Sequence, residues 1–169
     1  MLSGSVDARR FFARVAPKSS GKRFEEQVGE RLSSQGLSCL GREVEVASNP
    51  YGGKHVVDWL FQAPGEDFWQ LAVSCKYQLA KGTTEQKLEH ELFRLWFLLE
   101  DNPRIARAHL ILDGSGFSPG LRTYLTGRLL KAAPVLANID IHFGLDSIPE
   151  SGLEVDPLPG RHLPAPTLF

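Results

Sequence analysis

An acid and a lysine stand in two neighbouring apolar segments whose spacing could bring them together. Asp58 lies in the run 55–61, and Lys76 lies in the run 68–78. Both runs are rich in β-branched and aromatic residues and are joined by a Pro-Gly turn, which predicts a β-hairpin. Because alternate residues of a strand share a face, we expect Asp58 to approach Ser74 and Lys76. A carboxylate that holds a divalent cation, beside an ammonium that activates water and stabilises a phosphorane, suits metal-assisted phosphodiester cleavage.

The same two side chains also have a purely structural interpretation. An acid flanked by Val57 and Trp59 is costly inside a strand unless it is paired or bound to a metal. A salt bridge between Asp58 and Lys76 would meet that need without any metal. The segment around Lys76 is too apolar for an exposed sheet edge, and this favours the chemical interpretation.

A helix is predicted before this hairpin in the chain. Phe24, Val28 and Leu32 recur at four-residue spacing, and Gly36 supplies a stop. We therefore predict a helix with Ser20 as its N-cap.

Strands and helices then follow one another along the chain. The second helix is predicted to begin with a capping box formed by Thr83 and Gln86. A third helix is predicted to start at Ser118-Pro119 and to run to Lys131. The order α-β-β-β-α-β-α-β predicts an α/β fold, in which a mixed sheet combines an antiparallel meander with a parallel crossover and is flanked by helices. The predicted strands cover 42–46, 55–61, 68–78, 108–112 and 139–143.

Composition limits the number of domains and the class of protein. The chain has 169 residues, is 42% apolar and carries a formal net charge of -1, which fits one compact domain rather than a protein that coats nucleic acid. Five histidines without an HxH or HxxxH pair, and no CxxC, argue against a zinc site.

We predict three segments: a basic arm at 1–19, a folded domain at 20–145 and a Pro-rich tail at 146–169. The basic arm could equally be an ordinary solvated leader. No signal peptide or membrane span is predicted, so we expect a cytoplasmic protein.

The first helix, the hairpin and the second helix resemble the core of the PD-(D/E)XK, or restriction-endonuclease-like, nucleases over about residues 20–112. By position, the resemblance matches Glu25 with the family's helix glutamate, Asp58 with its first acid and Lys76 with its lysine. Gln78 stands where many members keep a glutamine beside the site. The resemblance therefore implies a restriction-endonuclease-like core that hydrolyses phosphodiester bonds with Mg²⁺, for which Mn²⁺ could substitute.

Ser74 departs from the family pattern, because most members have Asp or Glu at that position. A serine hydroxyl is a weak ligand for Mg²⁺, so the second acid would have to come from elsewhere. Some restriction endonucleases carry Ser-x-Lys and place the missing glutamate on the following helix, and this chain is similar to a subgroup with a Ser-x-Lys-x-Gln strand. Here that helix offers Glu85, Glu89 and Glu91. We favour Glu85 and place Glu91 second, although an acid in a first helical turn could simply complement the helix dipole.

These observations lead to one main functional hypothesis and two alternatives. The main hypothesis is a Mg²⁺-dependent DNA endonuclease of restriction or DNA-processing type, which works as a homodimer or within a larger DNA-processing complex. The alternatives are a catalytically inactive DNA-binding or assembly subunit with the nuclease fold, and a nuclease directed at junctions or RNA. The predicted catalytic residues are Asp58, Ser74, Lys76 and Gln78, and the predicted metal ligands are Asp58, Glu25, Glu85 and Glu91. The residues predicted to contact nucleic acid are Lys22, Arg23, Lys54, Lys81 and Lys87.

Overall fold

The computed structural model describes residues 19–48, 52–63 and 69–153. Over these ranges, helices and strands follow the predicted order and form an α/β fold with one mixed five-stranded sheet. Most of the predicted basic arm, 1–18, and most of the predicted Pro-rich tail, 154–169, lie outside the described residues. The division into arm, domain and tail therefore stays a prediction.

The sheet runs from edge to edge in chain order. Its strands are β1 (Ser38–Ser48), β2 (Lys54–Gln62), β3 (Gln70–Tyr77), β4 (Ile105–Asp113) and β5 (Ile139–Phe143). The first three strands pair antiparallel, while β4 pairs parallel to β3 and β5 pairs parallel to β4. This confirms the predicted combination of a meander with a parallel crossover. It also places the strand that carries Ser74 and Lys76 at the centre of the sheet.

Two long helices, α1 (Ser20–Ser34) and α2 (Thr84–Asp101), cover opposite faces of the sheet. Neighbouring residues of β3 show this, because Val73 packs with α1 and Ala72 packs with α2. Each fully buried leucine or phenylalanine in these layers contributes about 1.5–3 kcal/mol to folding. The α1 cluster includes Phe24, Val28, Leu32, Phe61, Leu71, Val73, Cys75 and Ile111. The α2 cluster includes Val57, Leu60, Ala72, Leu88, Leu92, Leu95, Leu99 and Leu110.

Both helix caps were predicted wrongly, because the backbone at each helix start differs from the one that the predicted cap requires. The N-cap of α1 is Ser19 rather than Ser20, and its side chain accepts a hydrogen bond of 3.3 Å from the backbone N–H of Lys22. At α2, Thr83 makes no side-chain cap hydrogen bond, so the predicted box with Gln86 does not form. The backbone of Thr83 is already helical, at φ -79° and ψ -3°. A capping side chain requires an extended N-cap residue to reach the free N–H groups.

The third helical segment is less regular than its sequence predicts. It consists of α3 (Pro119–Arg122), a π-helical stretch (Thr123–Leu129) and the short α4 (Leu130–Ala132). The Ser118-Pro119 start indicated a helix here but not the wider turn within it. Within the described ranges, no helix combines the length and the apolar character that crossing a bilayer requires.

The strand β2 changes face at Asp58. Val57 packs in the α2 cluster and Trp59 packs against the α1 cluster, although residues two apart share a face in a regular strand. The adjoining strand bends at the same level, because Glu43 lies between the pairs that join it to β2 and has a positive φ of 50°. The pairing of β2 with β3 also starts only at Trp59. Asp58 therefore stands where the two strands separate.

The chain after β5 returns to the α1 face of the sheet. Ile148 and Leu153 are buried in the α1 cluster. Gln35, at the end of α1, donates a 2.8 Å hydrogen bond from Nε2 to the carbonyl oxygen of Pro149. The described start of the predicted Pro-rich tail is therefore packed on the domain.

Candidate active site

Ser74 and Lys76 meet a glutamate of α2 on one face of the sheet. Ser74 Oγ lies 2.7 Å from Glu91 Oε1, to which it donates a hydrogen bond. Lys76 Nζ lies 2.8 Å from Ser74 Oγ and 3.3 Å from Glu91 Oε1. The hydroxyl at position 74 therefore connects the lysine of the strand to a carboxylate that comes from the helix.

Asp58 reaches the same group of atoms from β2. Its Oδ2 accepts a hydrogen bond of 2.6 Å from the backbone N–H of Cys75, and it lies 3.4 Å from Ser74 Oγ and 3.9 Å from Lys76 Nζ. The N–H of Cys75 lies beyond the paired part of β2 and β3, so the carboxylate takes the place of a strand partner. This hydrogen bond fixes the Asp58 carboxylate beside Ser74 and Lys76.

The Glu91 carboxylate is nearly buried but stays ionised. Burial by itself favours the neutral acid. The Lys76 ammonium, the hydrogen bond from Ser74 and the Arg94 guanidinium together outweigh that effect and hold the pKa of Glu91 below its ordinary value. Arg94 Nη1 lies 2.9 Å from Glu91 Oε2, so cations contact both carboxylate oxygens.

Glu25 approaches the sheet from the opposite face. Its Oε2 lies 3.2 Å from Arg42 Nη2, while Glu26 Oε1 lies 3.0 Å from Arg42 Nη1. The carbonyl oxygen of Glu25 also accepts a 2.8 Å hydrogen bond from Trp59 Nε1. Burial raises the pKa of the Cys75 thiol, and the Asp58 and Glu25 carboxylates raise it further. The structure thus pairs Glu25 with Arg42 on the α1 side of the sheet.

The other two candidate acids of α2, Glu85 and Glu89, contact a different part of the molecule. Glu85 accepts a hydrogen bond from the backbone N–H of Ser118, the residue before α3. Glu89 accepts a hydrogen bond from the hydroxyl of Tyr124. The contacts of these two acids lie with the third helical segment, whereas those of Glu91 lie with Ser74 and Lys76.

Gln78 is held by the loop that follows β4. Its Nε2 donates a 3.1 Å hydrogen bond to the carbonyl oxygen of Gly116, while its buried Oε1 has no hydrogen-bond partner among the described residues. Gly114 has φ 108°, and a Cβ there would stand 2.2 Å from the Gln78 carbonyl oxygen. The loop therefore needs glycine at this position, because any side chain would collide with the backbone.

A cleft of about 310 Å³ opens beside Lys76 and Glu91. Besides these two residues it is lined by Thr84, Lys87, Leu88, His90 and Arg94. Among the residues predicted to contact nucleic acid, Lys87 lies in this cleft. Lys22 instead pairs with Glu43 at 2.9 Å and Lys54 with Glu45 at 2.6 Å, while Arg23 and Lys81 are exposed.

Sequence reasoning overlooked Arg94 and His55. Arg94 stands three residues after Glu91, a spacing that brings side chains together on a helix and could have identified it. His55 is buried, and its Nε2 finds no hydrogen-bond partner within the described ranges. Burial lowers the pKa of His55, the charges of Arg94 and Lys76 lower it further, and the charge of Glu91 opposes them. No sequence signal distinguished this histidine from the others.

The donor set can be compared with what a divalent cation requires. Asp58 and Glu91 converge on Ser74 Oγ, at 3.4 and 2.7 Å. Within the described ranges, no group of three or more His, Cys, Asp or Glu side chains is arranged to hold a metal. Mg²⁺ is usually bound through one or two carboxylates, retains several waters and shares oxygens with a phosphate substrate. The two carboxylates of Asp58 and Glu91 therefore fit Mg²⁺ better than a cation that needs a complete protein cage.

Comparison with known proteins gives one match. The family model described as a PD-(D/E)XK nuclease superfamily domain matches residues 16–142, a range that holds both long helices and nearly the whole sheet. The match confirms the resemblance to that superfamily, which was based on Asp58 and Lys76 in the sequence. The Ser-x-Lys-x-Gln subgroup and the individual site residues stay predictions. No curated protein and no solved structure matches the chain significantly.

Proposed function

Because the chain belongs to the PD-(D/E)XK nuclease superfamily, we propose that it is a metal-dependent endonuclease that hydrolyses DNA phosphodiester bonds. Nucleases of this superfamily generally use divalent metal ions. Mg²⁺ is the proposed ion, and Mn²⁺ should replace it. Restriction or another DNA-processing event is the proposed setting, in which the chain acts as a homodimer or as a subunit of a larger complex.

The observation that supports this proposal is the position of Glu91. The carboxylate absent from position 74 is supplied from α2, and its Oε1 lies 2.7 Å from the Ser74 hydroxyl. A buried ion pair usually adds little stability compared with apolar residues of similar volume, so its presence here favours a functional role. Glu91 therefore replaces Glu85 as the favoured second acid.

Each residue of the site has a proposed role. Asp58 and Glu91 would hold the cation, which would polarise the scissile phosphate and lower the pKa of a bound water. Lys76, which contacts both carboxylates, would orient the attacking water and stabilise the charge that develops on the phosphate. Ser74 would keep Glu91 and Lys76 aligned. Gln78 Oε1, which lacks a partner among the described residues, would accept a hydrogen bond from water.

The test is cleavage of supercoiled DNA in the presence of Mg²⁺ or Mn²⁺. Lys76→Ala should lower the rate at least about 100-fold, because it removes electrostatic stabilisation of the transition state. Equal residual cleavage by wild type and Lys76→Ala would contradict the assignment of nuclease activity to this site, since Lys76 would then have no part in the reaction.

Two glutamates of the same helix provide a matched comparison. Glu91→Gln should abolish cleavage, whereas Glu85→Gln should leave it within about twofold, since Glu85 contacts Ser118 rather than Lys76. Calorimetric titration with Mn²⁺ should show uptake by wild type and by Glu85→Gln, and weaker uptake by Glu91→Gln. Loss of cleavage in Glu85→Gln alone would instead restore that acid as the metal ligand.

One observation favours a second candidate, a catalytically inactive DNA-binding or assembly subunit. Glu91 already contacts Lys76 and Arg94, and such a closed ion-pair network is also what a site that has lost its metal would retain. Absence of Mn²⁺ uptake together with intact DNA binding would favour this candidate.

A further inference from the structure

The third helical segment carries positive charge and no acid. Arg122, Arg128 and Lys131 are exposed, and the sequence holds no Asp or Glu from 114 to 139. In the part of the chain that the structure describes, none of these three cations is paired with a carboxylate, and Arg122 instead lies over the ring of Phe143, 4.7 Å from its centroid. Other cations of the described ranges do contact carboxylates, namely Lys22, Arg42, Lys54, Lys76, Arg94 and Arg107.

The π-helical stretch Thr123–Leu129 explains why these cations face outward. Leu121 and Leu125 are buried and Leu129 packs against the α2 cluster, so the apolar residues recur at a spacing of four. That spacing fits the wider turn of a π-helix better than the about 3.6 residues per turn of an α-helix. Positions between these leucines are therefore turned away from the core. Wide turns of this kind occur frequently at functional sites.

Gly127 lies within this stretch without a packing reason. Outside the helix backbone, a Cβ at this position would meet only Thr123 Cγ2, at the ordinary van der Waals distance of 3.9 Å. Glycine weakens a helix interior relative to alanine, and what it offers in return is close approach of a ligand to the backbone. Arg128 follows Gly127 directly, and Lys131 lies about one turn further on. We call Arg122, Gly127, Arg128 and Lys131 the basic face.

The third helical segment borders α2 on the flank opposite the cleft. Glu85 and Glu89 of α2 accept hydrogen bonds from this segment, and within the described ranges neither acid contacts a cation of the basic face. Lys87 and Arg94, which line the cleft, lie about half a turn around α2 from these two acids. A helix with its side chains is about 10–12 Å across, so about one helix diameter separates the cleft from the third helical segment.

We propose that the basic face binds the phosphate backbone of DNA to one side of the cleavage position, outside the cleft. This inference rests on the proposed function and gives its substrate a second contact. DNA carries one charge per about 1.7 Å of its axis, and cations without a protein partner gain affinity by releasing its counterions. A separation of one helix diameter corresponds to about three base pairs at about 3.4 Å each, so DNA held in the cleft can continue to the basic face. Phosphate contacts contribute affinity and orientation rather than sequence choice.

The test is fluorescence anisotropy of the full chain with a labelled DNA duplex at several salt concentrations, in a metal-free buffer that prevents cleavage. Arg128→Gln/Lys131→Gln should bind at least about fivefold more weakly than wild type, and its dependence of log affinity on log salt should be less steep by about 1 to 2. The matched control, Arg31→Gln/Arg104→Gln, removes the same charge elsewhere and should bind within about twofold of wild type. An equal loss of affinity in this control would overturn the inference, because net charge alone would then account for it.

Gly127 provides a second, uncharged test. Gly127→Leu should unfold at the same or a higher urea concentration than wild type, since leucine favours a helix and its Cβ meets only Thr123. Its affinity for the duplex should nevertheless fall at least about threefold, because the side chain blocks the approach of the phosphate backbone. Duplex affinity equal to that of wild type in this variant would count against the basic face.

Cleavage assays separate the basic face from the nuclease assignment. Arg128→Gln/Lys131→Gln should cleave supercoiled DNA with a raised KM and an unchanged kcat, because the lost contact is equal in the ground and transition states. Unchanged duplex affinity in this variant would overturn the inference, and the nuclease would stand if Lys76→Ala still lost cleavage. Binding that depends on Arg128 and Lys131, without cleavage by wild type, would support the basic face and count against the nuclease. If the double variant lost binding to vesicles of phosphatidylserine and phosphatidylcholine but kept its duplex affinity, the inference would be overturned and the face assigned to a membrane surface.

Discussion

Ser74 Oγ and Glu91 Oε1 lie 2.7 Å apart, although the two residues belong to different elements. The hydroxyl sits where most superfamily members carry an acid, and the helix brings a carboxylate to the same place. We therefore propose that this arrangement preserves the position of the negative charge, although a different residue carries it.

A carboxylate exchange tests this relationship. Glu91→Ser should reduce cleavage at least about 100-fold, because it removes one of two proposed cation ligands. The double variant Ser74→Asp/Glu91→Ser should recover at least about tenfold of that loss, since the strand then supplies the acid. Plasmid cleavage rates in Mg²⁺ measure both effects. No recovery in a double variant that is folded and binds Mn²⁺ would contradict the exchange.

Asp58 allows its structural and chemical roles to be separated. Asp58→Asn keeps an oxygen that can accept the Cys75 N–H, so the free energy of unfolding should change by less than about 1 kcal/mol. Asp58→Ala leaves that N–H without its acceptor and should cost about 1–3 kcal/mol. Both variants should lose cleavage and Mn²⁺ uptake, because neither retains a carboxylate. Urea denaturation and calorimetry measure the two properties, and full activity in Asp58→Asn would exclude a metal-binding role.

A second ion pair, far from Lys76 along the sheet, should matter for stability alone. Arg107 is buried and binds Asp140 through two hydrogen bonds of 2.8 Å, from Nε and Nη2. Asp140→Asn should lower the free energy of unfolding by about 2–3 kcal/mol, because a buried guanidinium loses its counter-ion. Urea denaturation measures this, with the exposed Glu150→Gln as control. The folded fraction of Asp140→Asn should still cleave DNA, and loss of cleavage would place this pair in the site.

The buried His55 and the half-buried His142 should make stability depend on pH. Burial lowers the pKa of His55, and Arg94 lowers it further. Burial also lowers the pKa of His142, against the opposing effects of Asp140 and of a hydrogen bond to the backbone of Ser147. The unfolded chain therefore binds more protons than the folded chain below about pH 6.5, the ordinary histidine value.

The free energy of unfolding should accordingly be highest above about pH 6.5 and should fall as the pH drops below it. Urea denaturation at several pH values between about 5.5 and 8, where few carboxylates titrate, measures this slope. The double variant His55→Gln/His142→Gln should have a flatter profile, whatever its absolute stability. A wild-type profile without slope over this range would contradict the assignment.

Local sequence patterns predicted most of the fold because the features they report are local. The four-residue spacing of Phe24, Val28 and Leu32 and the apolar run of the hairpin each depend only on neighbours in the chain. The cap of α1 was placed at Ser20 instead of Ser19, and the capping box predicted at Thr83 does not form, because caps depend on the backbone angles of single residues. Alternation along the hairpin brought Asp58 beside Lys76, the family resemblance then gave them their expected roles, and the superfamily match agrees with that resemblance.

The choice of the second acid, Glu85 or Glu91, could not be made from the sequence. Glu85 and Glu91 differ by six residues, and both lie near the apolar side of α2. Glu91 shares a heptad-like stripe with Leu88, Leu95 and Leu98, and this spacing was a signal that it is buried. The glutamate that contacts Ser74 is decided by the position of α2 relative to the sheet. No local sequence pattern contains that information.

By itself, the sequence determined the order of elements, the mixed sheet and the pair Asp58 and Lys76, since alternation and periodicity are properties of short segments. Only the tertiary structure decided that Glu91 meets Ser74, that Glu25 pairs with Arg42 and that Arg94 holds the buried carboxylate. The physical reason is that these contacts join residues from separate elements, whose relative positions come from packing the two clusters on opposite faces of the sheet.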